Sequence, residues 1–215
     1  ASVARASGIP FHTDAVQSAG WLDTRASTLG VDAMSISGHK LGAPKGIGVL
    51  FARGRIPLEP LVHGGGQERG ARSGTENVAA AVGLAAAIGL LDQTRAEGMT
   101  AVRDAFIAAV LAGVPDAALT GHPTERLPAT ASFVFPGTSG ESVLLQLEER
   151  GIVSSSGSAC AAGSAAPSHV LTALGFPADI AQTAVRFSWG SDVTGAQLDS
   201  VAGAVVDAVS SVRGI

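Results

Sequence analysis

Short apolar runs, broken by glycine and by charged turns, fill the first part of the chain, and longer runs with helical spacing fill the rest. Residues 9–14 read as a strand, and 15–20 as a loop or short helical turn. The run Val31-Asp32-Ala33-Met34-Ser35-Ile36 places a second strand over 32–37 that ends in a small, polar, Gly-punctuated turn. A third strand over 46–52 closes at the basic turn Arg53-Gly54-Arg55, and residues 1–8 read as the tail of a helix. Strands joined in this way predict an α/β sheet.

Ser73-x-x-Glu76 has the pattern of a capping box and predicts a long helix over 76–92. The uncharged stretch 78–91 within it is too short to span a bilayer, so a packed core helix is expected. The pattern resets around 93–98. Beyond it, helices are expected over 97–112 and 141–150, and strands over 132–135, 152–154 and 183–189. The chain closes with an amphipathic helix over 194–212, with Leu198, Val201, Val205 and Val209 on one stripe. The expected organisation is therefore a first domain over 1–94 and a smaller α+β domain over 95–215.

Apolar residues make up 46% of the chain and charged residues 15%, so a sizeable core can be buried and disorder is not expected. A net charge of −4 and a pI near 5.7 argue against a non-specific nucleic-acid binder. With no bilayer-length run and no signal or transit pattern, a soluble, cytoplasmic protein is expected, away from membranes. The lone Cys160 excludes an internal disulfide framework and a CxxC metal site, and no metal is expected. With no Tyr and only 4% aromatic residues, the core is expected to rest on Ala, Val and Leu.

Candidate chemistry gathers first at Ser37-Gly38-His39-Lys40. A lysine leaving a packed scaffold on a Gly-rich turn can be desolvated, which lowers its pKa and makes it a usable amine nucleophile. Serine and histidine beside it are natural phosphate donors. A pyridoxal-phosphate (PLP) site needs this combination, an amine for a Schiff base and donors for the 5′-phosphate. On the tetrapeptide alone, a surface lysine after a strand is the simpler reading. A second candidate is the Gly-rich loop over 63–77, where Arg69 and Arg72 precede a helix start whose free amides suit an anion. That loop reads equally well as a flexible glycine loop with an ordinary cap.

Distant motifs decide between these readings. HTDAVQSAG, SGHKLGAPKGIGVLF, HGGGQERGARSGTEN, SSGSAC and VRFSWG occur in this order from about residue 9 to the C-terminus. In order and near spacing they resemble the NifS/IscS-type cysteine desulfurases, in the class V aminotransferase group of fold-type I PLP enzymes. The stretch 161–168 after the cysteine resembles the long-loop branch. The resemblance implies an α/β fold: the partial large domain of a fold-type I PLP-dependent transferase, with a mostly parallel sheet and helices, over 1–94. A smaller α+β C-terminal domain carrying the cysteine loop would occupy 95–215.

The resemblance also implies roles. Lys40 would hold pyridoxal 5′-phosphate as a Schiff base and then move the Cα proton. Asp14 would pair with the protonated pyridine nitrogen, and Gln17 would hydrogen-bond the ring oxygen. Ser37 and His39 would donate to the phosphate, and Thr75 would reach the phosphate of the neighbouring subunit in a homodimer. Arg186 would clamp the substrate carboxylate with its planar fork, the alternative being a salt bridge at a strand end. Cys160 would attack the sulfur of L-cysteine, leaving L-alanine and a persulfide for a sulfur-acceptor or scaffold protein in iron–sulfur cluster or thio-cofactor assembly. A small, polar loop suits that task better than an inert buried thiol would. His63 and His169 are expected to be structural.

The same resemblance leaves the family's first strands, its Gly/Thr phosphate turn, its ring-stacking histidine and an asparagine near the ring without counterparts here. The expectation is a fragment of a longer enzyme, or a remnant needing a partner chain, with an exposed edge strand and apolar face. The alternatives are a selenocysteine lyase or other class V PLP enzyme, and an inactive fragment acting as a binding or assembly module.

Overall fold

The apolar run that ends at Ser37 forms the middle strand of a three-stranded sheet. In the computed structural model, which describes residues 1–54, 56–92, 94–156 and 166–214, a short helix α1 (Ser2–Ala6) leads into β1 (His12–Asp14). After α2 (Ala26–Leu29), β2 (Ala33–Ser37) lies parallel to β1, and β3 (Gly48–Ala52) runs antiparallel on its other side. A mostly parallel sheet was expected, and here one pairing is of each kind. The connection over 38–47 is too short for a crossover, so it returns the chain antiparallel. Ala15, Val31 and Met34 form a small core against the sheet, with Ala26, Ile36 and Phe51 packed at its margin.

The helix expected over 76–92 is α3 (Val78–Gly89), and two corrections attach to it. Its cap is Asn77, whose side chain accepts from the Ala80 N–H at 3.0 Å. Ser73 is buried, and its Oγ instead accepts from the Gly66 N–H. Nor is α3 a core helix: it buries only Ala80 and Leu84, while Val82 and Ile88 are exposed.

The chain divides between residues 94 and 95 into two units. The second begins with α4 (Arg95–Gly113), β4 (Ala118–Leu119), β5 (Thr130–Val134), α5 (Gly140–Glu148) and β6 (Ser155–Ser156). It continues through α6 (His169–Ala173), α7 (Ala178–Ala181), β7 (Ala184–Ser188) and α8 (Gly195–Arg213). Its sheet has the order β4-β5-β7-β6, with every pairing antiparallel. The strand expected over 152–154 is displaced to β6. Gly151 leaves α5 at a φ of 75°, and the Ile152 N–H bonds back to the Leu147 carbonyl, so these residues finish the helix exit instead of pairing.

α4, α5 and α8 share one core with the apolar face of this sheet. The stripe on α8 is largely as expected: Leu198, Val205 and Val209 are buried and Val201 packs at the edge. Most of this core is Ala, Val and Leu, as the composition predicts, and a group of aromatic rings meets within it. Phe106 meets Phe133, Phe187 and Trp189 edge-on, with ring centroids 6.0, 5.4 and 5.7 Å away. Among the described residues, no helix is long and apolar enough to cross a membrane.

Candidate active site

Because β1 and β2 are parallel, their carboxyl ends meet at one edge of the first sheet, the edge where open α/β sheets bind ligands. Asp14 ends β1 and pairs in register with Ser35, and Ser37 ends β2. A 3-10 turn over Gly38–Leu41 follows at once and carries His39 and Lys40. Gly38 makes this turn possible. Its N–H bonds to the Ile47 carbonyl at 3.0 Å, and a Cβ there would stand 2.8 Å from Ile47 Cγ2. Gly42, at a φ of 88°, ends the turn in the left-handed region that glycine tolerates.

The polar groups of this edge are linked in short pairs. Ser37 Oγ and His39 Nδ1 lie 3.0 Å apart, just before Lys40. Asp14 Oδ1 accepts from the Val16 N–H at 2.9 Å, which starts the turn leading to exposed Gln17. His12 Nε2 lies 2.8 Å from Ser35 Oγ, a contact that only the strand register reveals. Lys40 is exposed, the surface position that the tetrapeptide alone suggests. The cause is local: the turn stands beyond the end of β2, and only Gly38 in it is buried.

The loop over 63–77 is tied to itself. The Gly74 N–H donates to Gln67 Oε1 at 3.0 Å, and the Ser73 N–H to the Val62 carbonyl. Two consecutive residues other than glycine, Glu68 and Arg69, adopt φ values of 51° and 57°. Such residues cost on the order of 1 kcal/mol each, so the closing bonds hold a strained turn. Arg69, Arg72 and Thr75 are exposed on this loop.

In the second unit Arg186 sits mid-strand on β7, half-buried, paired with Ser132 of β5 and Ser155 of β6. Among the described residues nothing bonds its guanidinium, so the salt-bridge alternative finds no partner there. Ser155 opens the SSGSAC motif, and Ser132 lies in the alternation Thr130-Ala131-Ser132-Phe133, polar on one face and apolar on the other; the register sets both beside Arg186. A groove of about 300 Å³ in the same unit is lined by Ser139, Glu141, Ser156, Asp179 and Gln182 among others. It offers no cation, so it does not suit a carboxylate substrate. Cys160 lies outside the described residues. Among described carboxylates, Asp23 is held well below its usual range by hydrogen bonds from Arg25.

A family model for aminotransferase class V matches residues 1–201. The chain belongs to the aminotransferase class-V family. This class V chain is 42% identical over 219 residues to cysteine desulfurase NifS of Azotobacter vinelandii, a match covering 100% of the chain and 54% of the relative. A solved NifS-like protein superposes with a TM-score of 0.81 at 33% identity, covering 94% of this chain and 52% of that one. SspA, solved in complex with cysteine, gives 0.67 at 36% identity, over 87% of this chain and 52% of its own. The chain spans about half the length of the curated relatives it matches. Its fold is part of the fold-type I architecture, and class V members are in general PLP enzymes.

Proposed function

We propose that this chain carries the C-terminal part of the large domain (1–94) and the small, cysteine-bearing domain (95–215) of a PLP-dependent cysteine desulfurase. The observation that carries the reading is the shared carboxyl edge of β1 and β2, which gathers Asp14, Ser37, His39 and Lys40. That donor set fits PLP: one amine, one carboxylate and a hydroxyl–imidazole pair suited to a phosphate. When bound, PLP supplies an electron sink for the substrate's Cα. Lys40 would hold the cofactor and carry a proton to and from Cα. Asp14 would balance the charge on the ring nitrogen, and Gln17 would donate to the ring oxygen. Ser37 and His39 would donate to the phosphate, and Thr75 to the phosphate of a second copy in a homodimer.

Arg186 would take the carboxylate of L-cysteine. The Cys160 thiolate would then attack the substrate sulfur. A sulfur–sulfur bond forms as the substrate's carbon–sulfur bond breaks, leaving a persulfide on Cys160 and, after protonation, L-alanine. The persulfide would pass to a sulfur-acceptor or scaffold protein, in iron–sulfur cluster or thio-cofactor assembly. The names of the relatives support cysteine as the substrate.

A persulfide on the chain tests this directly. After incubation with PLP and L-cysteine, mass spectrometry is expected to find one added sulfur atom on the peptide containing Cys160, and none in Cys160→Ala. An unmodified peptide, with the fold intact, would favour the second reading, a binding or assembly module. The exposure of Lys40 and of one side of α3 speaks for that second reading. Alanine release from selenocysteine by Cys160→Ala would instead point to a lyase.

A further inference from the structure

α3 packs against the turn that carries Lys40. Its inward residues recur at helical spacing: Ala80 and Leu84 are buried, and Gly83 and Ala87 are half-buried on the same face. Three of these four are glycine or alanine, and the turn comes close enough for that to matter. A Cβ on Gly83 would stand 3.1 Å from Pro44 Cδ and 3.4 Å from Pro44 Cγ, so the proline ring lies against bare helix backbone. Gly89, on the same helix, differs: a Cβ there would meet nothing within 4 Å.

A second contact lies beside Lys40. Leu41 follows the lysine, and Leu91 follows α3. Their Cδ2 atoms lie 3.4 and 3.9 Å from where a Cβ on Gly20 would stand, so the two side chains converge over that glycine. Between the two contacts Ala43 is buried, and its N–H donates to the Gly38 carbonyl at 3.1 Å, which closes 38–43 into one unit. Pro44 follows directly. The turn is therefore held to α3 and its exit at Leu41 and Pro44, while Lys40 stays exposed. A proline ring has a fixed φ and cannot swing aside, and close-packed contacts pass a displacement on.

We propose that Gly83 is a positioning residue for Lys40, and that α3 is the platform that sets where the lysine amine stands at the carboxyl edge beside Asp14. Gly83 acts through Pro44: the bare backbone lets the ring seat, and the seated ring fixes the closed turn. This rests on the reading of Lys40 as the cofactor amine and adds to it the element that places it.

The test uses the full chain and compares Gly83→Leu with Gly89→Leu. Both replace a glycine of α3 by a good helix former, and only the first meets Pro44. Two quantities are followed: the nitrogen-15 amide resonances of residues 38–43, and the midpoint of a PLP titration read by visible absorbance. Gly83→Leu is expected to shift those resonances and to weaken PLP binding about tenfold, less than the hundredfold that a misplacement of about 1 Å can cost. Gly89→Leu should match the unmodified chain in both. Adding Pro44→Ala to Gly83→Leu removes the ring and should recover most of the affinity, which a merely damaged fold would not do. The proposal is overturned if Gly83→Leu and Gly89→Leu behave alike, or if Pro44→Ala leaves the Gly83→Leu loss in place. Failure of the cofactor reading looks different: the unmodified chain then binds no PLP, and the amide resonances decide alone. Displaced in Gly83→Leu and restored by Pro44→Ala, they uphold the platform; unmoved, they overturn it.

Discussion

Phe106 and Val82 show how differently the two units treat apolar residues. Phe106, on α4, is 0% exposed and meets three other rings, whereas Val82, on α3, is 64% exposed although α3 is the more apolar helix. In the second unit a four-stranded sheet and the helices α4, α5 and α8 share one core, within which these rings meet. In the first, a three-stranded sheet packs a core of only Ala15, Val31 and Met34, and Val49, Leu50 and Val82 stay on the surface. Apolar composition therefore does not by itself decide burial. The surface available to pack against it does.

The largest expected effect breaks the better-packed side of that contrast. Phe106→Ala should destabilise the second unit by about 3–5 kcal/mol. Val82→Asn should stay within about 0.5 kcal/mol. Urea unfolding checks the first in a Trp21→Phe background, where Trp189, whose ring lies 5.7 Å from Phe106, becomes the reporter. A Val82→Asn loss as large as that of Phe106→Ala would overturn the contrast.

Glycines sharpen it at a smaller scale. Gly38→Ala places a methyl against Ile47 and should cost about 1–3 kcal/mol, while disturbing the Ser37–His39 pair. Gly98→Ala on α4 meets nothing within 4 Å and should stabilise by about 0.5–1 kcal/mol. Thermal melts of the two variants should move in opposite directions. The smallest effect concerns the cap of α3. Asn77→Ala should cost about 1 kcal/mol, and Glu76→Ala close to nothing, since Asn77 and not the Ser73–Glu76 pair caps the helix. Equal losses would restore the capping box.

Much of the second unit was legible because its periodicity and its packing agree. The α8 stripe Leu198, Val205, Val209 points into the core as the spacing predicts. Where two local patterns competed, the sequence misled. Ser73 matches a capping box, yet loop closure with Gly66 uses its hydroxyl, and Asn77 does the capping nearby. Lys40 was found by its motif, and its exposure follows from where the turn stands relative to the strand ends. That Ser132 and Ser155 flank Arg186 became visible only through strand register, which joins residues 132, 155 and 186 from three separate segments.

The central claim is that the edge formed by Asp14, Ser37, His39 and Lys40 is a cofactor edge. The most direct measurement is the visible absorbance of the purified chain titrated with PLP, beside Lys40→Ala, before and after L-cysteine. The account predicts a saturable band in the unmodified chain that changes with L-cysteine and is missing from Lys40→Ala. Identical spectra for the two proteins would contradict it.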